Sequence, residues 1–299
     1  MVMLAIKSLV NDNLTVYRHS TMLMGDRFEI SVTGDNPAWA TQRINDAITE
    51  INRVEKLLST FGDDSNINQI NRNAGIQPVK VNAEIFRLIE RSLQIAELTH
   101  GTFDITYTTS QKSSTVNYKN IVLDAGAQTV FLKEEGMRIS FAAIAKGYAA
   151  DRAKYVLQLQ DVRSGVINAG GDLLAWGLQP GDEPWTVGTA DVEQATKPYS
   201  HVNISNMAWT TSVNSNKYTA INTGKLPGAI DNDNGFKVSA VHSVSVLAPT
   251  AELADAIATP LLRMGINGGL YLINKLNQVA CFIIDDNSRI YPSKDIAVK

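Results

Sequence analysis

Residues 139–177 constrain the fold most, because they combine a helix, a short apolar strand and a glycine-rich strand end. The helix follows Lys146, with apolar residues on one stripe and charged residues on the others. Val166 and Ile167 form an apolar run that the Gly170-Gly171 pair ends, which is typical of a buried strand with a close neighbour. Such a segment either packs a helix tightly on a sheet or holds a ligand between two backbone approaches.

Alternating and helical patterns predict both sheet and helix in the rest of the chain. Strands are predicted at residues 27–32, 118–123, 129–133, 185–190, 202–204, 208–212 and 242–248, and in a hairpin that turns at 285–287. Helices are predicted within residues 44–58, after Asn82, after Lys146, after Thr250 and within residues 268–276. The sequence shows no internal repeat and no long linker, so the pattern predicts one α+β domain, residues 20–299, preceded by an N-terminal extension, residues 1–19. The domain is expected to consist of two similar sheet-plus-helix lobes.

Three further segments are either rich in polar residues or carry an acid among apolar residues. Residues 59–75 are predicted to be a loop that caps a helix or covers a pocket, with Phe61 either stacked on a ligand or packed in the core. Residues 101–110 are predicted to be a strand that places Asp104 among apolar neighbours, where a carboxylate needs a structural partner or a ligand. Residues 213–238, rich in Asn, Gly and Asp, are predicted to be a loop or flap.

Composition excludes several classes of function. A formal net charge of −3 gives no basic field for nucleic acid or an anionic membrane. The single cysteine, Cys281, lies in an apolar run and is predicted to be a buried strand residue. The four histidines lack the spacing of a zinc site. The apolar N-terminus is too short for a membrane span and shows no cleavage site, and no lipobox cysteine is present.

Three oxygen-bearing side chains share one face of the helix that begins after Thr250. Glu252, Asp255 and Thr259 are spaced by three and four residues, near the positive end of the helix. Hard cations such as Mg²⁺ take ligands of this kind, although acids in a first turn also simply offset the helix dipole. Pro260 adds a free carbonyl one turn back, which favours the ion site slightly.

Six stretches in this order resemble the ApbE family, the FAD:protein FMN transferases. They are LMGDRFEI, LSTFGDDSNINQIN, GTFDIT, IAKGYAAD followed by INAGGDLLAWG, PWTVGTAD, and VSVLAPTAELADAIAT. They cover most of residues 23–265, and their order is more specific than any one of them. The resemblance implies an α+β protein with a flavin site between its lobes. It also implies binding of FAD and Mg²⁺, cleavage of the pyrophosphate and attachment of FMN to a threonine of a partner protein.

The resemblance also assigns roles to residues of this chain. The implied flavin-binding residues are Met24, Phe61, Thr102, Phe103, Asp104, Ser140, Lys146 and Ile230. The implied metal ligands are the Ala143 carbonyl, Asp255 and Thr259, with Glu252 close by. Catalysis would rest on Asp255, which orients the metal, and on Lys146, which stabilises the leaving phosphate.

Two departures from the family pattern keep other functions open. The family motif His-x-Ile-Asp-Pro-x-x-Gly corresponds to residues 229–235, which lack its histidine and proline, and Ser140 stands near a position where relatives have an aspartate. The alternatives to transfer are a flavin-binding homologue that does not transfer and an FAD pyrophosphatase that forms FMN and AMP. The missing histidine favours the former, whereas the retained oxygen face favours transfer or hydrolysis. The expected acceptor is a flavoprotein, such as a subunit of an electron-transfer complex, and the family expectation for location is the cell envelope or periplasm.

Overall fold

The computed structural model describes residues 14–60, 62, 65–106, 116–190, 198–214 and 241–294. The strands are β1 (Thr15–Leu23), β2 (Asp26–Gly34), β3 (Val79–Lys80), β4 (Ile121–Asp124), β5 (Thr129–Leu132), β6 (Gly165–Ala169), β7 (Asp172–Trp176), β8 (Thr186–Ala190), β9 (Pro198–Asn203), β10 (Ala208–Val213), β11 (Val241–Ala248), β12 (Ala280–Asp285) and β13 (Ile290–Pro292). The helices are α1 (Pro37–Leu58), α2 (Asn66–Arg72), α3 (Ala83–Leu98), α4 (Ala145–Leu159) and α5 (Ala251–Ile273).

An antiparallel sheet of eight strands, in the order β1-β2-β6-β7-β10-β11-β12-β13, organises the molecule. Helices α1 and α4 cover the first half of the sheet, and α5 covers the second half. The pairing of Trp209 in β10 with Leu173 in β7 joins the two sheet-plus-helix halves into one sheet. This architecture confirms the predicted α+β fold in a single domain.

Alternation places the core as the sequence predicts. Phe28, Ile30 and Val32 point from β2 into the core and are fully buried. Cys281 is buried in β12, as predicted, and burial raises the pKa of its thiol to about 12. The hairpin of β4 and β5 and the C-terminal hairpin of β12 and β13 are also confirmed. No helix in the described ranges is long and apolar enough to cross a membrane.

The helices begin at residues whose side chains cap them. The side chains of Asn36, Ser65, Asn82 and Thr250 each accept a backbone N–H from the first turn of α1, α2, α3 and α5, respectively. The caps at Asn82 and Thr250 confirm the predicted starts of α3 and α5. Gly265, at φ 75°, interrupts α5, so the helix predicted within residues 268–276 is the continuation of α5 after a break.

Ion pairs tie α1, α3 and α4 into one layer. Arg53 of α1 binds Glu84 of α3, with 2.7 Å between Nη2 and Oε1. Arg152 of α4 binds Glu50 of α1 at 2.9 Å, and Tyr148 donates to Glu84 at 2.6 Å. These contacts fix α4, which carries Lys146 at its first turn.

Three predicted boundaries differ from the structure. Residues 59–75 contain α2, because Ser65 caps it and Ile67 and Ile70 are buried on one face. Residues 101–106 form turns instead of a strand, because the Asp104 carboxylate accepts the Thr106 backbone N–H two residues on. Residues 15–19, assigned to the extension, belong to β1. Residues 215–238 of the predicted flap and residues 107–110 of the predicted strand lie outside the described residues.

Candidate active site

Several of the predicted site residues lie at one end of the sheet, where two turns meet the start of α4. The β1–β2 turn ends at Asp26, and the β6–β7 turn comprises Gly170 and Gly171. Lys146, in the first turn of α4, reaches Asp26 with 3.1 Å between Nζ and Oδ2. The family resemblance assigns a role in the site to Lys146 but none to Asp26, although Asp26 lies inside the LMGDRFEI stretch.

Asp26 is held in place by its neighbours. The Lys146 hydrogen bond and the Arg27 backbone N–H lower the pKa of the Asp26 carboxyl. Gly170 has φ 71°, and a Cβ atom there would lie 2.2 Å from Asp26 Oδ2. The glycine is therefore required by both its backbone conformation and the approach of the Asp26 carboxylate. The close neighbour of this glycine-rich end is thus the Asp26 carboxylate, and the two sequence interpretations, helix packing and ligand binding, both stay predictions.

Two further carboxylates face the same lysine. Burial and the Asp172 charge raise the pKa of Asp255 to about 7, against the opposing effects of the Lys146 charge and the Gly147 backbone N–H. Burial also raises the pKa of Asp172, against the favourable charge of Lys146 and the Thr211 backbone N–H. The structure thus brings together Lys146 and Asp255, as predicted, and adds Asp172 at the start of β7.

Hydroxyl groups of β10 extend the site toward α5. Thr259 lies one turn beyond Asp255, and its Oγ1 is 3.1 Å from Ser212 Oγ. Thr211 Oγ1 is 2.8 Å from Ser245 Oγ on the adjacent strand. Thr210 lies next to Asp172, and its side chain helps to lower the pKa of that carboxyl. Thr210, Ser212 and Thr259 therefore lie on the face of the sheet that α5 covers, whereas alternation places Thr211 on the opposite face, where it accepts from Trp209 Nε1.

Glu252 does not join this group. Arg91 of α3 donates to both of its carboxylate oxygens, from Nε to Oε1 and from Nη2 to Oε2, each at 2.9 Å. Glu252 is only 8% exposed, so the ion pair joins α3 to α5 inside the helical layer. Its carboxylate is engaged away from Asp255, so in this structure the oxygen face consists of Asp255 and Thr259 without Glu252.

The predicted flavin-pocket residues form a second group near the same helix. The Ser140 backbone N–H donates to the Ile105 carbonyl at 2.9 Å, which joins the Thr102–Asp104 turn to the segment that leads into α4. Phe103 is buried, and Asp104 accepts from Thr106 and from the Tyr118 backbone N–H, so its partners are structural.

Met24 sits in the β1–β2 turn at φ 52°, half-buried against the core. It is two residues from Asp26, so it borders the site that Lys146 forms with that carboxylate. Phe61 and Ile230 lie outside the described residues.

The oxygen donors fit a hard cation. Asp255 lies beside the Gly147 N–H and the Lys146 charge in the first turn of α4, and Ala143 comes two residues before that helix begins. Among residues the structure describes, no three His, Cys, Asp or Glu side chains form a ready-made metal centre. An ion held by Asp255, Thr259 and the Ala143 carbonyl would therefore need further oxygens from water or phosphate, as is common for Mg²⁺.

A separate cleft of 840 Å³ lies at the opposite end of the sheet. Its lining includes Gly34 at the end of β2, Gly177 just after β7, Trp39 and Arg163. None of the predicted site residues lines it. The chemistry-bearing groups are concentrated at the other end, so we place the candidate site there.

The fold and the site define a class of protein: an α+β protein that gathers a lysine, buried carboxylates and oxygen donors for a hard cation at one end of its main sheet. A model of the ApbE family matches residues 24–283, and the chain belongs to this family. It is 26% identical to the FAD:protein FMN transferase of Treponema pallidum (strain Nichols), with 94% of this chain and 87% of that protein covered. It is 24% identical to a FAD:protein FMN transferase of Klebsiella pneumoniae (strain 342), with 94% and 92% covered.

Solved structures show the same fold. The ApbE protein of Thermotoga maritima superimposes with a TM-score of 0.76 at 24% identity, over 94% of this chain and 97% of that chain. The apo form of the Pseudomonas stutzeri flavinyl transferase ApbE gives a TM-score of 0.77 at 20% identity, over 94% and 95%. The single-domain fold is therefore shared over nearly the whole chain.

Proposed function

We propose that this protein transfers FMN from FAD to a threonine hydroxyl of an acceptor protein, in a Mg²⁺-dependent reaction that releases AMP. The names of its relatives, FAD:protein FMN transferases, support the reaction class. The observation that carries the proposal is the cluster in which Lys146 binds Asp26 and lies close enough to Asp172 and Asp255 for its charge to lower their pKa values. It combines a cation that binds phosphate with oxygen donors for a hard metal.

The net charge of this cluster explains why a diphosphate substrate would need a metal ion in order to bind. Asp26, Asp172 and Asp255 surround one lysine, so their sum is negative when all are ionised. A diphosphate would be repelled by this field. Mg²⁺ held by Asp255, Thr259 and the Ala143 carbonyl would neutralise charge on the phosphate oxygens when bound.

The residues of the chain then have distinct tasks. Asp26 orients the Lys146 ammonium through the 3.1 Å contact, and Lys146 donates to the phosphate oxygens and to the leaving AMP phosphate. The threonine oxygen forms a bond to the FMN phosphorus as the bond from that phosphorus to the bridging AMP oxygen breaks; the bridging oxygen leaves with AMP, and the threonine proton is released to water. Met24 and the turn of Thr102, Phe103 and Asp104, with Ser140, border the space for the isoalloxazine ring.

The test is incubation with FAD, MgCl₂ and an acceptor domain from a flavoprotein subunit of an electron-transfer complex. We expect a fluorescent flavin band on a denaturing gel, an equal amount of AMP, and loss of both with EDTA or with the acceptor Thr→Val. Asp255→Asn should abolish the band, whereas Asp161→Asn, an exposed site at the far end of α4, should not. AMP without an acceptor would indicate a pyrophosphatase, and tight FAD binding with neither product would indicate a non-transferring homologue.

A further inference from the structure

The first turn of α5 is bound by an aspartate that the proposed chemistry does not use. Asp151 of α4 accepts the Ala251 N–H on Oδ1 at 3.0 Å and the Glu252 N–H on Oδ2 at 2.8 Å. These are the first two N–H groups of α5, which have no partner within their own helix. Thr250 satisfies the next two, through its hydroxyl and its carbonyl. Half of the N-terminal donors of α5 therefore depend on α4.

The contact fixes how α5 is placed against α4. Two oxygens that bind two consecutive N–H groups restrict both rotation and sliding of the helix, because either motion lengthens at least one bond. Gly147 lies four residues before Asp151, on the same face of α4. A Cβ atom on Gly147 would lie 2.5 Å from the Ala251 carbonyl oxygen, so the two helices cross in direct backbone contact.

This crossing lies next to the ion site. Asp255 follows Ala251 by one turn, and Lys146 is adjacent to Gly147. The charge of Lys146 and the Gly147 N–H both act on Asp255, so the separation of α4 and α5 sets these distances. A small displacement of α5 would move Asp255 and Thr259 together, away from the first turn of α4.

We propose that Asp151 is a positioning residue, which by binding the first turn of α5 sets Asp255 and Thr259 at the distance from the Ala143 carbonyl that Mg²⁺ binding requires. This inference rests on the proposed function, because that function places the ion there. Residues that orient metal ligands without touching the metal typically change metal affinity by about 10-fold to 100-fold when they are substituted.

The test measures FAD binding, by quenching of flavin fluorescence, as a function of Mg²⁺ concentration at 20 °C. In Asp151→Asn the amide oxygen accepts one N–H but the amide nitrogen faces the other. We expect the Mg²⁺ concentration at half-saturation to rise by about tenfold, with FAD affinity in EDTA within about twofold of wild type. Asp161→Asn, which removes the same charge from the other end of α4, should match wild type.

Gly147→Ala is the second variant, because it alters the helix crossing and keeps every charge. It should raise the half-saturating Mg²⁺ concentration in the same direction, and it decides the question if Asp151→Asn does not fold.

Two results would overturn the proposal, and they differ. If Asp151→Asn only lowers the melting temperature, with half-saturation within about twofold of wild type, Asp151 is merely structural and the proposed function stands. If wild-type FAD binding does not respond to Mg²⁺ at all, the ion site of the proposed function fails, and the positioning role fails with it.

Discussion

The raised pKa of Asp255 predicts an unusual pH dependence of stability for the metal-free protein. The folded protein holds this proton up to a pKa of about 7, whereas the ordinary value is 3.8. Between these two values the native state binds a proton that the unfolded state has lost, so stability falls as pH rises. The stabilisation is complete below about pH 4 and is lost once pH passes about 7.

The magnitude follows from the same two values. A difference of roughly three pKa units corresponds to ~4 kcal/mol in the free energy of unfolding at about 1.4 kcal/mol each. Most of this falls between pH 5 and pH 8, where we expect a loss of about 2–3 kcal/mol. Asp255→Asn cannot ionise, so it should lack this loss and should gain stability relative to wild type as pH rises.

The assay is urea denaturation in EDTA at pH 5 and pH 8, followed by tryptophan fluorescence. Buried Trp185 and Trp209 should report unfolding. Titrating groups far from Asp255 contribute to both proteins and largely cancel in the comparison, whereas the pKa of the neighbouring Asp172 should fall in Asp255→Asn because the Asp255 charge is removed. Asp161→Asn should run parallel to wild type, and added Mg²⁺ at pH 8 should stabilise wild type but not Asp255→Asn. Parallel pH curves for wild type and Asp255→Asn would refute the reasoning, since they would mean that Asp255 is as well solvated in the fold as in the unfolded chain.

Three other substitutions test the surroundings of the site. Lys146→Met should reduce transfer by about 10²-fold by removing the phosphate donor, as measured by in-gel flavin fluorescence; near wild-type rates would exclude that role. Gly170→Ala should cost about 2 kcal/mol in urea denaturation and more than Gly171→Ala, because only the former places a Cβ against Asp26; equal costs would contradict the clash. Arg91→Met should lower the free energy of unfolding by about 2 kcal/mol, because it leaves the Glu252 carboxylate unpaired. Adding Glu252→Gln to that variant should recover part of the loss. An unchanged free energy of unfolding in Arg91→Met would show that the ion pair contributes little.

The regular elements could be predicted because their patterns are local. The stripe of apolar residues in α1, the caps at Asn82 and Thr250 and the alternation in β2 depend on neighbours within one or two turns. The prediction of a loop at residues 59–75 is wrong because the cap at Ser65 and the apolar pair in α2 are short signals within a polar stretch. The turn at Asp104 was missed because alternation alone does not show that a side chain accepts a nearby backbone N–H.

The site was only half predictable, because its other half depends on contacts between distant segments. Asp26 and Lys146 are 120 positions apart in the sequence. The pairing of β2 with β6 brings the β1–β2 turn, which ends at Asp26, next to the β6–β7 turn, and this proximity cannot be read from either segment alone. Helical spacing groups Glu252 with Asp255, but a side chain on the flank of the helix can turn toward either neighbour. The presence of Arg91 on α3 decides that Glu252 turns away, since a bidentate pair satisfies a buried carboxylate better than a shared site with Asp255. Asp255 has no arginine partner among the described residues, and the Lys146 charge and the Gly147 N–H only partly offset its burial, which is the physical reason to propose a cation there.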